Sequence, residues 1–279
     1  MREYFPILVA KRDGTTVQTN SSYSGINYPY HNVVVDWVVA GGSASDSTKS
    51  AMSAFFTGLD ADGITYGSSG KIKRLNLFCG ASLTDCLRPQ ILSLGNSTDT
   101  NNGPFVSGDY VETGSSGGLT GDGSTKYLST GVSNSDSAIP QQDYSVGTYL
   151  KFSSFSGNTY ALGSDASNRS LALYASGTLA YYFTLGSGAS QSTPTQGWFS
   201  GGTSTDFGRL FKNGTQVSTT AANPTVLSGT IEVFRATSNV LSSTVKVASY
   251  YIGQYLGATD QANLYSRMQT FQTSLGRQV

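Results

Sequence analysis

The run Arg209-Leu210-Phe211-Lys212-Asn213-Gly214-Thr215-Gln216-Val217 decides the fold class. Asn213 and Gly214 both tolerate the positive φ of a type I′ turn, and strand-forming residues flank them, so the stretch reads as a tight β-hairpin. The same texture extends in both directions. Short runs rich in β-branched and aromatic residues recur over 127–128, 144–152, 159–162, 170–174, 179–185, 230–235 and 244–252. Gly121-Asp122-Gly123, Ser156-Gly157-Asn158, Ser176-Gly177 and Ser228-Gly229 punctuate them as turns. Many short strands at this spacing predict a mainly β protein, an antiparallel sandwich. A helix closes the chain: Thr259 or Asp260 caps it, Leu264, Met268, Phe271 and Leu275 share one face, and Gly276 stops it.

Upstream the rhythm changes. Over 43–104 a small α/β segment is expected. Asp46 caps a helix over 47–59 with Ala51, Ala54, Phe55 and Leu59 at three- and four-residue spacing. A strand follows over 71–78, then a short strand or helix over 85–94 and a polar loop over 95–104. Residues 1–42 form a third unit. It holds Tyr4-Phe5-Pro6-Ile7-Leu8-Val9, the turn Asp13-Gly14, and Val33-Val34-Val35-Asp36-Trp37-Val38-Val39, whose β-branched run reads as a strand ended by Gly41-Gly42. The divisions are therefore 1–42, 43–104 and 105–279. Two strands alone are marginal in water. The first unit is accordingly read as an anchoring segment, with Val33, Val35 and Trp37 at an assembly interface.

Composition narrows the function. Of 279 residues, 17 are Lys or Arg and 17 Asp or Glu, so charged residues make up 12%, about half the usual quarter. Formal charge near zero without a basic block argues against nucleic acid and anionic membranes as partners. The longest apolar run, 33–40, is broken by Asp36 and too short to span a bilayer. Met1-Arg2-Glu3-Tyr4-Phe5-Pro6 opens no apolar stretch of the secretory type, so no signal peptide is expected. Cys79 and Cys86 read as reduced, buried thiols rather than a disulfide framework.

Gly118-Leu119-Thr120-Gly121-Asp122-Gly123-Ser124-Thr125-Lys126-Tyr127-Leu128-Ser129-Thr130-Gly131 resembles the opening strand pair of concanavalin A-like (laminin G-like) jelly rolls. Phe211-Lys212-Asn213-Gly214 is similar to their central aromatic-x-Asn-Gly turn. Tyr251-Ile252-Gly253 with the helix after it resembles the last strand and closing helix of versions found in tailed-bacteriophage virion proteins. The likeness covers about 45–279. It implies a virion protein assembled in the host cytoplasm, a capsid decoration or part of a tail or fibre. Its partners would be other virion proteins and further copies of itself in a homo-oligomer. The alternative it implies is an adhesin that binds host surface polysaccharide.

The same jelly roll hosts glycoside hydrolases, which need two acidic groups flanking the bond. Only Glu3, Glu112 and Glu232 are glutamates, and Glu232 has no acidic residue two positions away in Ile231-Glu232-Val233-Phe234. His31 is the only histidine, and no strand-to-helix nucleophile elbow is read from the sequence. The expectation is a non-enzyme without cofactor. Ca²⁺, which laminin G-like domains often hold, would have Asp122, Asp165 and Asp206 to draw on, with no motif behind it and turn-capping as the simpler role. For a glycan, an aromatic face under the sugar ring points to Trp198, in an apparent loop or strand end, and to Tyr181 and Tyr182, which alternate faces on one strand. Filling of the core is the competing role for these rings.

Overall fold

The computed structural model describes residues 29–140, 142–152, 159–164, 169–176, 178–185, 187–192, 196–221, 229–236, 239–240 and 245–279; over 169–192 and 239–240 it describes the backbone. In chain order the elements are α1 (Asn32–Val39), α2 (Asp46–Ala61), β1 (Ile72–Asn76), α3 (Leu83–Cys86), β2 (Ile91–Leu92), β3 (Thr100–Asn102), β4 (Tyr110–Val111), β5 (Gly118–Thr120) and β6 (Tyr127–Ser133). Next come β7 (Tyr144–Lys151), β8 (Thr159–Ser164), β9 (Arg169–Ser176), β10 (Thr178–Leu185), β11 (Ser187–Ser192), β12 (Gly197–Thr203) and β13 (Phe207–Lys212). The chain continues through β14 (Thr215–Ala221), β15 (Thr230–Val233), β16 (Arg235–Ala236), β17 (Asn239–Val240) and β18 (Lys246–Gly253) to α4 (Ala258–Ser274).

Two antiparallel sheets form the sandwich. One runs β14-β13-β12-β7-β18-β1-β2, with β5 also on β18 and β4 on β5; the other runs β11-β10-β9-β8-β15-β6-β3. The first hairpin read from the sequence is there as β13–β14. Asn213 and Gly214 sit at φ +49° and +74°, and a Cβ on Gly214 would come within 2.8 Å of Ala262 on α4. Alternation along the strands sends one face of each sheet into a shared core. Val146, Leu150, Phe199, Leu210, Tyr250 and Ile252 from one sheet meet Leu128, Val132, Leu162, Ile231 and Val233 from the other.

A second apolar layer lies behind the larger sheet. There Tyr149, Trp198, Ala248 and Tyr251 face Met52, Phe55, Phe56 and Leu59 of α2 and Leu264, Met268 and Phe271 of α4. The molecule is thus helices, sheet, sheet. Helix α4 buries the face its periodicity predicts, although Gly257 rather than Thr259 or Asp260 is its N-cap. On α2 the Ser45 hydroxyl accepts from the Thr48 amide as the cap, with Asp46 in the first turn.

The run over 33–39 is a helix, not a strand. His31 Nδ1 accepts from the Val33 amide and starts α1. Val34 and Trp37, three apart, turn into the helical layer while Val38 and Val39 face out. The strand preference of β-branched residues is a weak bias, and packing on α2 overrides it. Val35 and Trp37 are 8% and 2% exposed within this chain, Val33 is half-buried, and the Trp37 indole donates to Arg88 O at 3.0 Å. They are packing residues here; Val38 and Val39, at 41% and 49%, are what α1 exposes. The earlier runs, 4–9 and 13–14, lie outside the described residues.

Residues 43–104 are not set apart from the sandwich. β1 lies between β18 and β2, and β3, in the stretch expected as loop, closes one edge of the smaller sheet. A buried network ties them in. Asp99 accepts from Arg74 Nη2 at 2.7 Å, from the Tyr250 hydroxyl at 2.5 Å and from Asn76 Nδ2 at 2.8 Å.

Candidate functional site

Trp198 is at the start of β12, a strand end as its surroundings suggested, but it is fully buried. Its ring stacks on Tyr251 with centroids 5.7 Å apart, under α4. The Gly/Ser-rich residues that follow it are strand residues in close contact with their neighbours: a Cβ on Gly202 would come within 2.9 Å of the Tyr255 ring, and the Ser200 hydroxyl donates to Gln261 Oε1 on α4 at 2.8 Å. An aromatic face for a sugar is not available there. Tyr181 and Tyr182 lie on β10, registered with Leu173 and Ala172 on β9 and with Gln191 and Ser190 on β11; their side chains lie outside the described residues.

The acidic and nucleophilic candidates are also accounted for. Asp122 Oδ1 accepts from the amides of Ser124, Thr125 and Lys126, and Oδ2 accepts from the Thr125 hydroxyl. Burial works against this carboxylate, yet those bonds hold it well below its usual range, as befits a turn cap. Asp206 is exposed and Asp165 lies outside the described residues. Among the described residues no three His, Cys, Asp or Glu side chains converge to hold a metal. His31 Nε2 meets Asp60 at 2.9 Å, and with Nδ1 engaged at the helix cap the ring ties α1 to α2. Cys79 and Cys86 are free and buried; burial pushes the Cys79 thiol up to about 12 and Cys86 well above its ordinary value.

Among the described residues, no long helix covers the outer face of the smaller sheet. The long helices α2 and α4 pack behind the larger one. Leu128, Ile231 and Val233 point inward, so period-2 alternation turns Tyr127, Ser129 and Glu232 outward. The ladder sets them side by side: Glu232 is opposite Ser129 and Gly163, Ser129 opposite Thr100, and Tyr127 opposite Asn102. The chain then doubles back. Phe234 takes φ +72°, and β16 lies over β8, where a Cβ on Gly163 would come within 2.2 Å of Ala236 Cβ. This brings Arg235 over the platform.

Arg235 is the hub. Its Nε and Nη2 donate to both oxygens of Glu232 at 2.5 and 2.6 Å, and its guanidinium carbon lies 3.4 Å from the centroid of the Tyr127 ring. The Glu232 side chain is 4% exposed and that of Arg235 23%. The bidentate bond to Glu232 holds the guanidinium firmly charged, and planar stacking fixes its orientation. The patch therefore offers a fixed cation–carboxylate pair of zero net charge, a half-buried phenol, and the hydroxyls and amide of Ser129, Thr100 and Asn102. Glu232 and the strand holding Tyr127 were visible in the sequence. Their union by Arg235 was not, although an Arg three residues after an outward Glu is a signal for such a pair.

No protein-family model and no curated sequence matches the chain. Solved structures do. A mutant of Trypanosoma rangeli sialidase displaying trans-sialidase activity superposes with TM-score 0.50 at 9% identity, covering 80% of this chain and 39% of that one. Domain 4 of AbnA, an extracellular GH43 arabinanase from Geobacillus stearothermophilus solved with arabinotriose, gives 0.49 at 15% identity over 70% and 98%. Botulinum neurotoxin type C, described as entering cells through two ganglioside molecules, gives 0.38 at 14% over 52% and 40%. This chain thus spans about two fifths of the sialidase and neurotoxin chains. What the sialidase likeness shows is the fold. It is a β-sandwich.

Proposed function

We propose that this chain is a non-enzymatic glycan-binding sandwich, displayed on a bacteriophage particle, and that the outer face of the smaller sheet carries the binding. The observation behind the reading is the platform of Tyr127, Ser129, Thr100 and Asn102 under a guanidinium already neutralised by Glu232. Sugar hydroxyls bind through several moderate hydrogen bonds beside an aromatic surface, and this patch presents such groups on rigid strands. Because Arg235 and Glu232 cancel, the patch favours neutral sugars. Both Glu232 oxygens are held, so it is a scaffold for Arg235 and not a free acid or base. The particle part of the reading rests on the sequence motifs alone, since none of the solved structures named above is a virion protein. Many copies on a particle would convert weak single-site affinity into firm attachment.

Cosedimentation with candidate host cells and, in parallel, with particles lacking the protein tests both parts. The reading predicts pelleting with cells, competed by soluble neutral polysaccharide and abolished by Tyr127→Ala, as well as pelleting with particles irrespective of that change. Pelleting with neither would overturn it. Pelleting with particles alone would leave a decoration protein with no glycan site.

A further inference from the structure

A second feature is independent of the glycan platform and lies at the end of the larger sheet. Lys151 on β7 and Lys246 on β18 stand directly opposite in the ladder. Like charges in that position repel. Beneath them lies a third cation, Arg277, which is fully buried. Its guanidinium donates to Phe78 O at 2.8 Å, Leu77 O at 3.0 Å, Glu112 O and Ala248 O at 3.3 Å, and Gln272 Oε1 at 2.8 Å: neutral oxygens throughout. Its side chain passes so close to Gly117 that a Cβ there would sit 2.4 Å from Arg277 Cδ.

None of the three forms an ion pair among the described residues. Lys151 is 5% exposed, yet its ammonium has one acceptor, Gly114 O, at 3.5 Å. Burial and the charges of Arg277 and Lys246 together depress it to about 8. The carboxylate that Arg277 feels, Glu112, accepts through Oε1 from the Thr48 hydroxyl and the Gly80 amide. The sequences running out of Lys151 and into Lys246, over 152–158 and 241–245, contain no acidic residue.

All three cations surround one loop, Gly114-Ser115-Ser116-Gly117-Gly118. Lys246 Nζ donates to Ser116 O at 3.1 Å, beside Lys151 at Gly114 O. Ser115 and Ser116 are exposed, and their backbone amides donate to no acceptor among the described residues. A buried charge without a counter-ion is costly, and here two, Lys151 and Arg277, cluster with the half-buried Lys246 beside free amides and hydroxyls. We propose that Lys151, Lys246 and the 114–118 loop, backed by Arg277, form a binding site for a single oxyanion group, a carboxylate, phosphate or sulfate. The missing counter-charge is then supplied by the ligand, with Lys246 and the loop amides at the mouth and Lys151 at the base.

The test uses the full chain labelled with ¹³C at lysine, titrated with phosphate, sulfate and glucuronate against sodium chloride of equal ionic strength. The Lys151 side-chain resonance should shift saturably, and its titration midpoint should rise by about one pH unit, a tenfold preference for the protonated lysine. Lys246→Gln should weaken the effect at least about tenfold. Lys151→Met, which relieves the repulsion, should raise the melting temperature without anion and abolish stabilisation by phosphate. A response to glucuronate assigns the ligand to an acidic sugar; a response to phosphate or sulfate alone assigns it to a phosphoryl or sulfate group. No saturable shift with any of the three, or an equal shift in Lys246→Gln, would overturn the proposal.

Discussion

Trp198 is the residue where sequence and structure point to opposite experiments, and its replacement gives a graded result. Trp198 is fully buried and stacks on Tyr251. Trp198→Ala removes a whole indole from the layer under α4, and such truncations cost about 3–5 kcal/mol. For a chain of this size that is a fall of roughly 6–20 °C in melting temperature. Trp198→Phe behaves differently. It loses part of the ring contact, but the indole Nε1–H is buried without a hydrogen-bond partner among the described residues. Leaving such a donor unpaired costs about 1–3 kcal/mol, so its removal offsets much of the lost contact. The two variants, measured by urea denaturation followed by circular dichroism, should therefore differ by about 2 kcal/mol or more, with Phe within about 1.5 kcal/mol of the parent. Glycan binding should persist in Trp198→Phe. If Trp198→Ala left stability unchanged and removed binding, the placement of this ring under α4 would be refuted.

Three further outcomes follow from the buried polar groups. Asp99→Asn strips the charge that faces fully buried Arg74 and should cost about 3–5 kcal/mol in the same denaturation assay; unfolding should stay a single transition, since that network joins 43–104 to β18. Burial depresses Lys212 to about 7, while an unfolded lysine titrates near 10.4. Between these values the unfolded chain binds more protons, so stability should rise with pH by up to about 1.4 kcal/mol per unit for this group. Lys212→Met should flatten the rise between pH 7 and roughly 9.5, leaving the smaller contribution that Lys151 makes above its own value of about 8. Cys79 and Cys86 should resist a thiol reagent at pH 8 until the chain is unfolded, because burial holds both thiols protonated.

Local chemistry made part of this molecule legible in its sequence. The Asn213-Gly214 turn demands a backbone that few other pairs adopt, and Leu264, Met268, Phe271 and Leu275 recur at helical spacing, so hairpin and closing helix could be read directly. The run over 33–39 could not, because a short, almost wholly apolar stretch interrupted only by Asp36 carries no clear period to separate a strand from a buried helix. β3 (Thr-Asn-Asn) and β11 (Ser-Gly-Ala-Ser-Gln-Ser) lack a run of β-branched or aromatic residues and are strands only through their neighbours. Trp198 looked exposed because its flanking small residues signal loops as readily as they signal close packing. The candidate site was the least visible part. Tyr127 and Arg235 are more than a hundred residues apart, and only the antiparallel pairing of β6 with β15 and the return of the chain at Phe234 bring them together.

The most direct measurement is the equilibrium binding of a soluble neutral polysaccharide to the full chain, to Tyr127→Ala and to Trp198→Phe. The account predicts saturable binding by the parent and by Trp198→Phe, and a loss of about tenfold or more in Tyr127→Ala, which is about 1.4 kcal/mol, with cooperative unfolding and the circular-dichroism spectrum of the parent retained. Equal affinity of the parent and Tyr127→Ala, or binding that fails only in Trp198→Phe, would contradict a glycan site on the outer face of the smaller sheet.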